Sequence, residues 1–339
     1  ETYLTRQTRR LKTGEINRRR FIMSALSTGV SLPTAMSLAG KTEAATPKPG
    51  GHFRYGLASG HASDSLNPAA ATNRLASLIN QTRGATLTEF DTDGQLSPAL
   101  AESFEHSGDA KTWHFDLQPG AEFHNGKTIT SHDIIASLNF YRSNDAPALT
   151  RGLLRNVASL RPDGPNRVAI TLARADFDLP AILSDDHLSI LPATDGVIDP
   201  TTAIGAGAYA LTEFTPGQIA RLRKHPNHWD SARGHFDQID LISIPDANMR
   251  QHALMHGDVD FIDTVDPKTV ALLDRSPSIQ ILETPNAQYL SLPMRLDAEP
   301  FQNPDLRSAL SLAINRQELV DKVLLGHGSV GNDIPVHPD

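Results

Sequence analysis

An α/β to α+β fold in two lobes is predicted for this chain of 339 residues. Segments with period-two hydrophobic alternation and segments with a helical apolar stripe are interleaved without strict alternation. The length allows about two domains, each large enough for its own core. No period of 20–50 residues repeats, and no low-complexity linker follows residue 50.

Gly51 to Leu57 reads as a strand with Phe53, Tyr55 and Leu57 on one face. Leu66-Asn67-Pro68 marks a turn, after which Leu75, Leu78 and Ile79 form a helical face. Phe104 to Leu117 reads as a hairpin turned by Ser107-Gly108-Asp109, with Trp113, Phe115 and Leu117 inward. Residues 120–127 form a polar loop. Thr130 and Asp133 then make a capping box opening a helix with Ile134, Leu138 and Tyr141 on one face. Val168, Ile170 and Leu172 belong to another strand.

Tyr209–Phe214 and Ile219–Arg223 form a hairpin around Pro216-Gly217. Ile239 to Ile244 is a strand, Asp246 caps a helix that Gly257 stops, and Val259 and Phe261 resume a strand. Asp266-Pro267 and Asn303-Pro304 each start a helix by the rule that favours proline in the first turn. The second of these has Leu306, Leu310, Ala313 and Ile314 as its apolar stripe. Asn315 and Glu318 cap a last helix ending at Gly326. An opening on Glu1 and a stop at Asp339, just after a helix pair, point to a fragment.

Composition excludes several classes of function. Cysteine is absent, so there is no disulfide framework, thiol nucleophile, iron–sulfur cluster or cysteine-ligated zinc. A formal net charge of -8 argues against a general nucleic-acid binder, which needs a basic face, and 6% aromatics offer few stacking platforms. The charge is unevenly spread. Residues 1–45 hold eight cations against three anions, net +5, which leaves -13 on the other 294. That balance is compatible with cationic or zwitterionic ligands.

The basic N-terminus reads as a secretory address. Asn17-Arg18-Arg19-Arg20-Phe21-Ile22-Met23 precedes a mildly apolar run from Ser24 to Gly40, broken by Gly29 and Pro33. The paired arginines resemble a twin-arginine signal, with Arg18, Arg19 and Phe21 as recognition residues. The run is too short and broken for a membrane span, which needs ~20 apolar residues. Cleavage fits after Ala39, Ala44 or Ala45, and without cysteine no lipid is attached there. The expected product is a free periplasmic protein.

Motifs that would carry catalysis are near misses. Gly205-Ala206-Gly207-Ala208-Tyr209-Ala210 matches a loose dinucleotide pattern, but a strand and a Pro-Gly turn follow where a phosphate site needs a helix N-terminus. His252 and His256 have metal-ligand spacing on a helix but no third ligand nearby. Asp185-Asp186-His187 reads as a polar loop, and Gly326-His327-Gly328-Ser329 as a helix stop. No enzyme activity, cofactor or metal site is expected.

Four stretches carry a resemblance to a known family. They are Ser65-Leu66-Asn67-Pro68; Leu96–Phe104 with Lys111–Gly126; Gly205–Leu211 through Pro216-Gly217 to Pro226 and Trp229; and Pro300-Phe301 with Asp305–Leu310 and Ala313–Arg316. In this order, from about residue 51 onward, they are similar to the large extracytoplasmic solute-binding proteins of peptide, nickel and opine ABC importers. Departures are Ala208 for the usual proline, His225 and His228 in the stretch before Trp229, and Leu292-Pro293-Met294.

The resemblance implies a two-lobed periplasmic-binding-protein fold with an extra subdomain in lobe one, truncated within lobe two. Residues 46–75 and 196–260 map to lobe one, 76–195 to the inserted subdomain, and 261–339 to the start of lobe two, after a signal at 1–45. It also implies capture of small peptides or similar zwitterionic solutes between closing lobes, by a monomer that delivers them to ABC permease subunits. Export machinery of the twin-arginine type is the implied partner of the precursor. The segment after the turn, Ala71-Thr72-Asn73, would pair with the ligand backbone as an added strand. An acidic residue for the ligand ammonium would come from lobe two, where Asp297 lies nearby in sequence. The alternatives are the same scaffold carrying a nickel chelate, an opine or a sugar, and an exported non-transport protein on this fold.

Overall fold

The structure, a computed structural model, describes residues 47–284 and 290–331. The chain divides into two units between Gly50 and Gly51, and all the elements below belong to the second. In chain order they are β1 (His52–Leu57), α1 (Arg74–Arg83), β2 (Thr88–Phe90), β3 (Leu96–Pro98), β4 (Ala101–His106), β5 (Thr112–Leu117), α2 (Ser131–Tyr141), α3 (Ala148–Leu153), β6 (Val157–Pro162), β7 (Arg167–Leu172), α4 (Leu179–Ile182), β8 (Ala193–Thr194), β9 (Val197–Ile198), β10 (Tyr209–Thr215), β11 (Ile219–Lys224), β12 (Gln238–Ser243), α5 (Ala247–His256), β13 (Phe261–Ile262), α6 (Pro267–Leu273), α7 (Pro304–Ala313) and α8 (Arg316–Lys322). Short 3₁₀ turns lie at Pro68–Ala70 and Asp186–Leu188.

Two sheets organise the unit. The first has the order β10-β11-β12-β1-β13, in which β1 runs parallel to both β12 and β13 while β10, β11 and β12 are antiparallel. Helix α1 covers one face of it. Leu75 and Ile79 pack there with Leu57, Tyr209, Ala220, Leu222, Ile239 and Leu241, the apolar positions that strand alternation turns to one side. The opposite face is closed around Gly56, where an added Cβ would lie 3.2 Å from Ile262 and 3.4 Å from Ile244 and Val259. Covered on both faces, β1 buries Gly56 and Leu57 alike, and Phe53 and Tyr55 stay half-buried.

The second sheet is antiparallel, in the order β4-β5-β7-β6. Trp113, Phe115 and Leu117 of β5 and Val168, Ile170 and Leu172 of β7 face a core closed by Ile134, Leu138 and Tyr141 of α2. The capping box forms as its spacing requires: the Thr130 amide donates to Asp133 Oδ2 at 3.1 Å. Asp133 is buried and also takes Lys127 and the Ala193 amide, 2.9 Å away, which ties α2 to the β8–β9 ribbon.

Phe261–Ile262 pairs with β1, so the first sheet continues two residues past 260. Helix α1, placed mostly in the insertion from the sequence, packs on the first sheet. Val259, expected in the strand, is a buried residue leading into it. Helix α7 has no buried residue among the described ones, and Leu312 is almost fully exposed.

Candidate functional site

Parallel strands share a direction, so the loops leaving their carboxyl ends converge on one edge, where ligands of such sheets bind. Here that edge collects the segments after β1, β12 and β13, and hydrogen bonds set their relative positions. The Ala58 amide donates to Asp263 Oδ1 at 2.8 Å, joining the ends of β1 and β13. Arg250 of α5 is buried, and its guanidinium donates to four carbonyls. Ile244 (2.7 Å) and Pro245 (3.1 Å) lie at the end of β12, and Asp263 (3.2 Å) and Thr264 (2.9 Å) at the end of β13.

The segment Ala71-Thr72-Asn73 reaches this edge from the Asn67-Pro68 turn. Asn67 caps the 3₁₀ turn, and the Ala71 amide donates back to the Pro68 carbonyl at 3.2 Å. Ala71 and Asn73 both hold extended backbone angles. The Asn73 side chain caps α1 through Ala76 and donates to Asp64 Oδ1 at 2.5 Å, while Asp64 Oδ2 accepts from the His61 amide at 2.9 Å. The amide of Arg74 donates to Ser59 Oγ, just past β1. Thr72 is exposed between these anchors. The three residues expected at a ligand-pairing segment are thus together at the sheet edge but unequal. The Asn73 side chain is committed to the cap and Asp64, and the Ala71 carbonyl accepts from His187 Nε2 at 2.9 Å.

His187 belongs to the polar loop seen in sequence, which folds as a 3₁₀ turn capped by Asp185. Its Nδ1 lies 2.7 Å from Asp185 Oδ1 and 3.5 Å from Asp186 Oδ1. Asp186 Oδ2 in turn accepts from Ser77 Oγ of α1 at 2.7 Å. The hydrogen bond to Asp185, helped by the Ala71 carbonyl, pushes the His187 pKa up to about 9. Burial works against charge on Asp185, but the two bonds from His187 outweigh it and hold its carboxyl below the ordinary range. Oxygen and nitrogen atoms of Asp185, Asp186 and His187 lie close enough together to hold a metal ion. A doubly protonated imidazole has no lone pair to give one.

The other sequence candidates have structural roles. Gly205 and Gly207 lie against the backbone of α1: the Gly207 amide donates to the Arg83 carbonyl at 2.7 Å, and a Cβ on Gly205 would collide with that same carbonyl. These glycines serve close backbone approach, as the refuted phosphate motif leaves open. His124 fastens the same crossing. Its Nδ1 accepts from the Gly205 amide at 3.1 Å, its Nε2 donates to the Gly207 carbonyl at 3.0 Å, and burial lowers its pKa to about 4. His252 and His256 stack 4.9 Å apart on exposed α5, with His256 Nδ1 bonded to the His252 carbonyl. Arg295 pairs with Asp297 at 2.6 Å, and both are exposed. Arg18, Arg19 and Phe21 lie outside the described residues.

Two hollows are lined by residues away from this edge. One of about 1020 Å³ runs along α1 past Asp186 to His228 and Arg233. The other, about 640 Å³, lies in the insertion between Lys127, His132 and Val197. Neither is lined by residues 71–73.

Sequence reasoning weighed His187 only as part of a polar loop and did not single out Asp64 or Arg250. The contacts that tie these residues to the edge, His187 to Ala71, Asp64 to Asn73 and Arg250 to Asp263 and Thr264, span from nine to 116 residues and leave no local period in the sequence.

The description "Bacterial extracellular solute-binding proteins, family 5 Middle" matches residues 95–339. The glutathione-binding protein GsiB of Escherichia coli O6:K15:H31 is 26% identical over 276 residues, which cover 78% of this chain and 52% of that protein. The chain therefore spans about half the length of the curated relatives it matches. AgaA of A. tumefaciens R10, solved with agropinic acid, is 28% identical with a TM-score of 0.71, over 82% of this chain and 57% of AgaA. AppA of Bacillus subtilis, an oligopeptide-binding protein solved with a nonapeptide, shares the fold at a TM-score of 0.74 and 23% identity, over 86% of this chain and 59% of AppA. With a matching stretch that covers well over half of its residues, and with the mixed two-sheet architecture of these two-lobed proteins, the chain belongs to family 5 of the bacterial extracellular solute-binding proteins.

Proposed function

We propose that this chain provides the lobe-one half of a solute-capturing cleft in a periplasmic component of an ABC importer. The observation that carries the reading is the edge where β1, β12 and β13 end, with the extended segment 71–73 anchored along it. A solute with a peptide-like backbone lies against Thr72 and forms added-strand hydrogen bonds, and residues past 262 close over it. Closure follows because only the closed state makes both sets of contacts. Lobe one then comprises 51–83 and 205–262, with the insertion between 84 and 204.

The cargo class is short peptides or similar zwitterionic solutes. The glutathione-binding protein GsiB among the relatives supports a site that reads a peptide-like backbone. The protein acts as a monomer and hands its cargo to membrane permease subunits. Arg18, Arg19 and Phe21 address the precursor to twin-arginine export. Native mass spectrometry of the protein purified from its own periplasm tests the cargo: an added mass of a short peptide or amino-acid conjugate is expected. A metal-bearing or sugar mass contradicts the cargo class, and turnover of a bound compound contradicts the binding role.

A further inference from the structure

We propose that His187 is a positioning residue for solute capture: its ring, held by Asp185, grips the Ala71 carbonyl and thereby fixes the direction of the chain at Thr72. The inference rests on the reading of residues 71–73 as the ligand-pairing segment. It adds that the inserted subdomain, through this one side chain, shapes the half-cleft.

The geometry supports a brace. Ala71 is tied on its amide side to Pro68 and on its carbonyl side to His187, at 3.2 and 2.9 Å. Asn73 is tied to Asp64 and to the start of α1. Thr72, between two residues fixed in extended conformation, therefore has little freedom left, and order present before binding need not be supplied by the solute. Asp185 orients the ring from the opposite side, and Asp186 is itself held by Ser77. Both ring nitrogens act as donors, and charge-assisted hydrogen bonds are the stronger kind.

The ring state makes the brace sensitive to alkali. The charges acting on His187 are Asp185 and Asp186 from its own turn. The Pro68–Ala70 turn packed on it carries no charge, and α1 brings the neutral Ser77 hydroxyl. From α2 come the hydroxyls of Ser137 and Tyr141, bonded to the Leu191 and Ser189 carbonyls. Helix α1 also carries Arg74 and Arg83, and among the described residues neither is a cause of the shift at His187. Loss of the proton above about pH 9 leaves one ring hydrogen for two acceptors.

The test uses the natural protein with carbon- and nitrogen-labelled backbone and ring, the variants His187→Ala and His187→Gln, and reduced glutathione and Ala-Ala-Ala as probes. In the wild type, both ring nitrogens should report as protonated at pH 7, and the Ala71 carbonyl shift should follow the His187 titration near pH 9. His187→Ala should abolish that response, raise the mobility of Thr72, and weaken whichever probe the wild type binds by about tenfold, as expected for one lost hydrogen bond. His187→Gln, whose side-chain amide reaches as the ring Nε2–H does, should restore affinity without the alkaline titration. An Ala71 carbonyl indifferent both to pH and to His187→Ala overturns the brace. Undiminished probe affinity in His187→Ala overturns its role in capture. A wild type that binds neither probe while Ala71 still follows the titration overturns the cargo class and leaves the brace standing.

Discussion

The guanidinium of Arg250 donates at 2.9 Å to the carbonyl of Thr264, a residue held at a φ of 51°. That left-handed angle is unfavourable for a β-branched side chain, and it occurs where the chain leaves β13 for the residues beyond. Arg250 also holds Ile244, Pro245 and Asp263, so one side chain joins the exits of two parallel strands. Its removal leaves four partly buried carbonyls without this donor. Arg250→Met should therefore destabilise the unit by about 3 kcal/mol, since hydrogen bonds to charged groups are each worth ~1.5–3 kcal/mol and relaxation recovers part of the loss. Urea unfolding followed by circular dichroism measures it, and an unchanged midpoint would show that Arg250 holds nothing.

Gly205→Ala provides a second test. Its methyl would collide with the Arg83 carbonyl, a backbone atom that cannot swing away, so a loss of about 3 kcal/mol is expected. Gly108→Ala, in open space, should stay within ~0.5 kcal/mol. Equal thermal shifts for the two variants would remove the account of Gly205-Ala206-Gly207 as a site of close approach.

Two histidines should shape the pH dependence of stability in opposite directions. His187 has its pKa raised to about 9, so its contribution is fully present below its unfolded value near 6.5 and is lost as pH rises toward 9. Burial lowers His124 to about 4, so its neutral form favours folding above 6.5, and that contribution is lost as pH falls toward 4. Urea midpoints measured from pH 4 to 10 should fall on both sides. His187→Gln should flatten the alkaline limb alone, and His124→Gln the acid limb alone.

Much of the fold was legible because its signals are local. The capping box at Thr130 and Asp133, the Pro-Gly hairpin at 216–217 and the alternation of Trp113, Phe115 and Leu117 each act within a few residues, and each element formed where those residues put it. The ends of β13 and the allegiance of α1 were not legible. Phe261–Ile262 is a strand only because β1 lies beside it, and α1 has apolar residues that suit either neighbouring core. Residues 71–73 entered only through the family resemblance, and the side chain that grips Ala71 comes from 116 residues away. In the sequence, Asp185-Asp186-His187 is only a polar loop.

The export route is tested by Arg18→Lys with Arg19→Lys in the precursor. Both residues keep their charge, so a general preference for a basic N-terminus would tolerate the change, whereas recognition of the arginine pair would not. The double variant should accumulate in the cytoplasm on fractionation. Normal periplasmic yield would contradict the twin-arginine assignment.

The central claim is that solute is captured where β1, β12 and β13 end, against the segment 71–73. Hydrogen exchange read by mass spectrometry tests it most directly, comparing the natural protein stripped of its co-purified solute with the same protein after that solute is returned. Slower exchange should appear at residues 58–64, 71–74 and 263–265, with the 228–236 loop and the α2 surface unchanged. Protection confined to the hollow between α1 and Arg233, with no change at 71–74, would contradict the account.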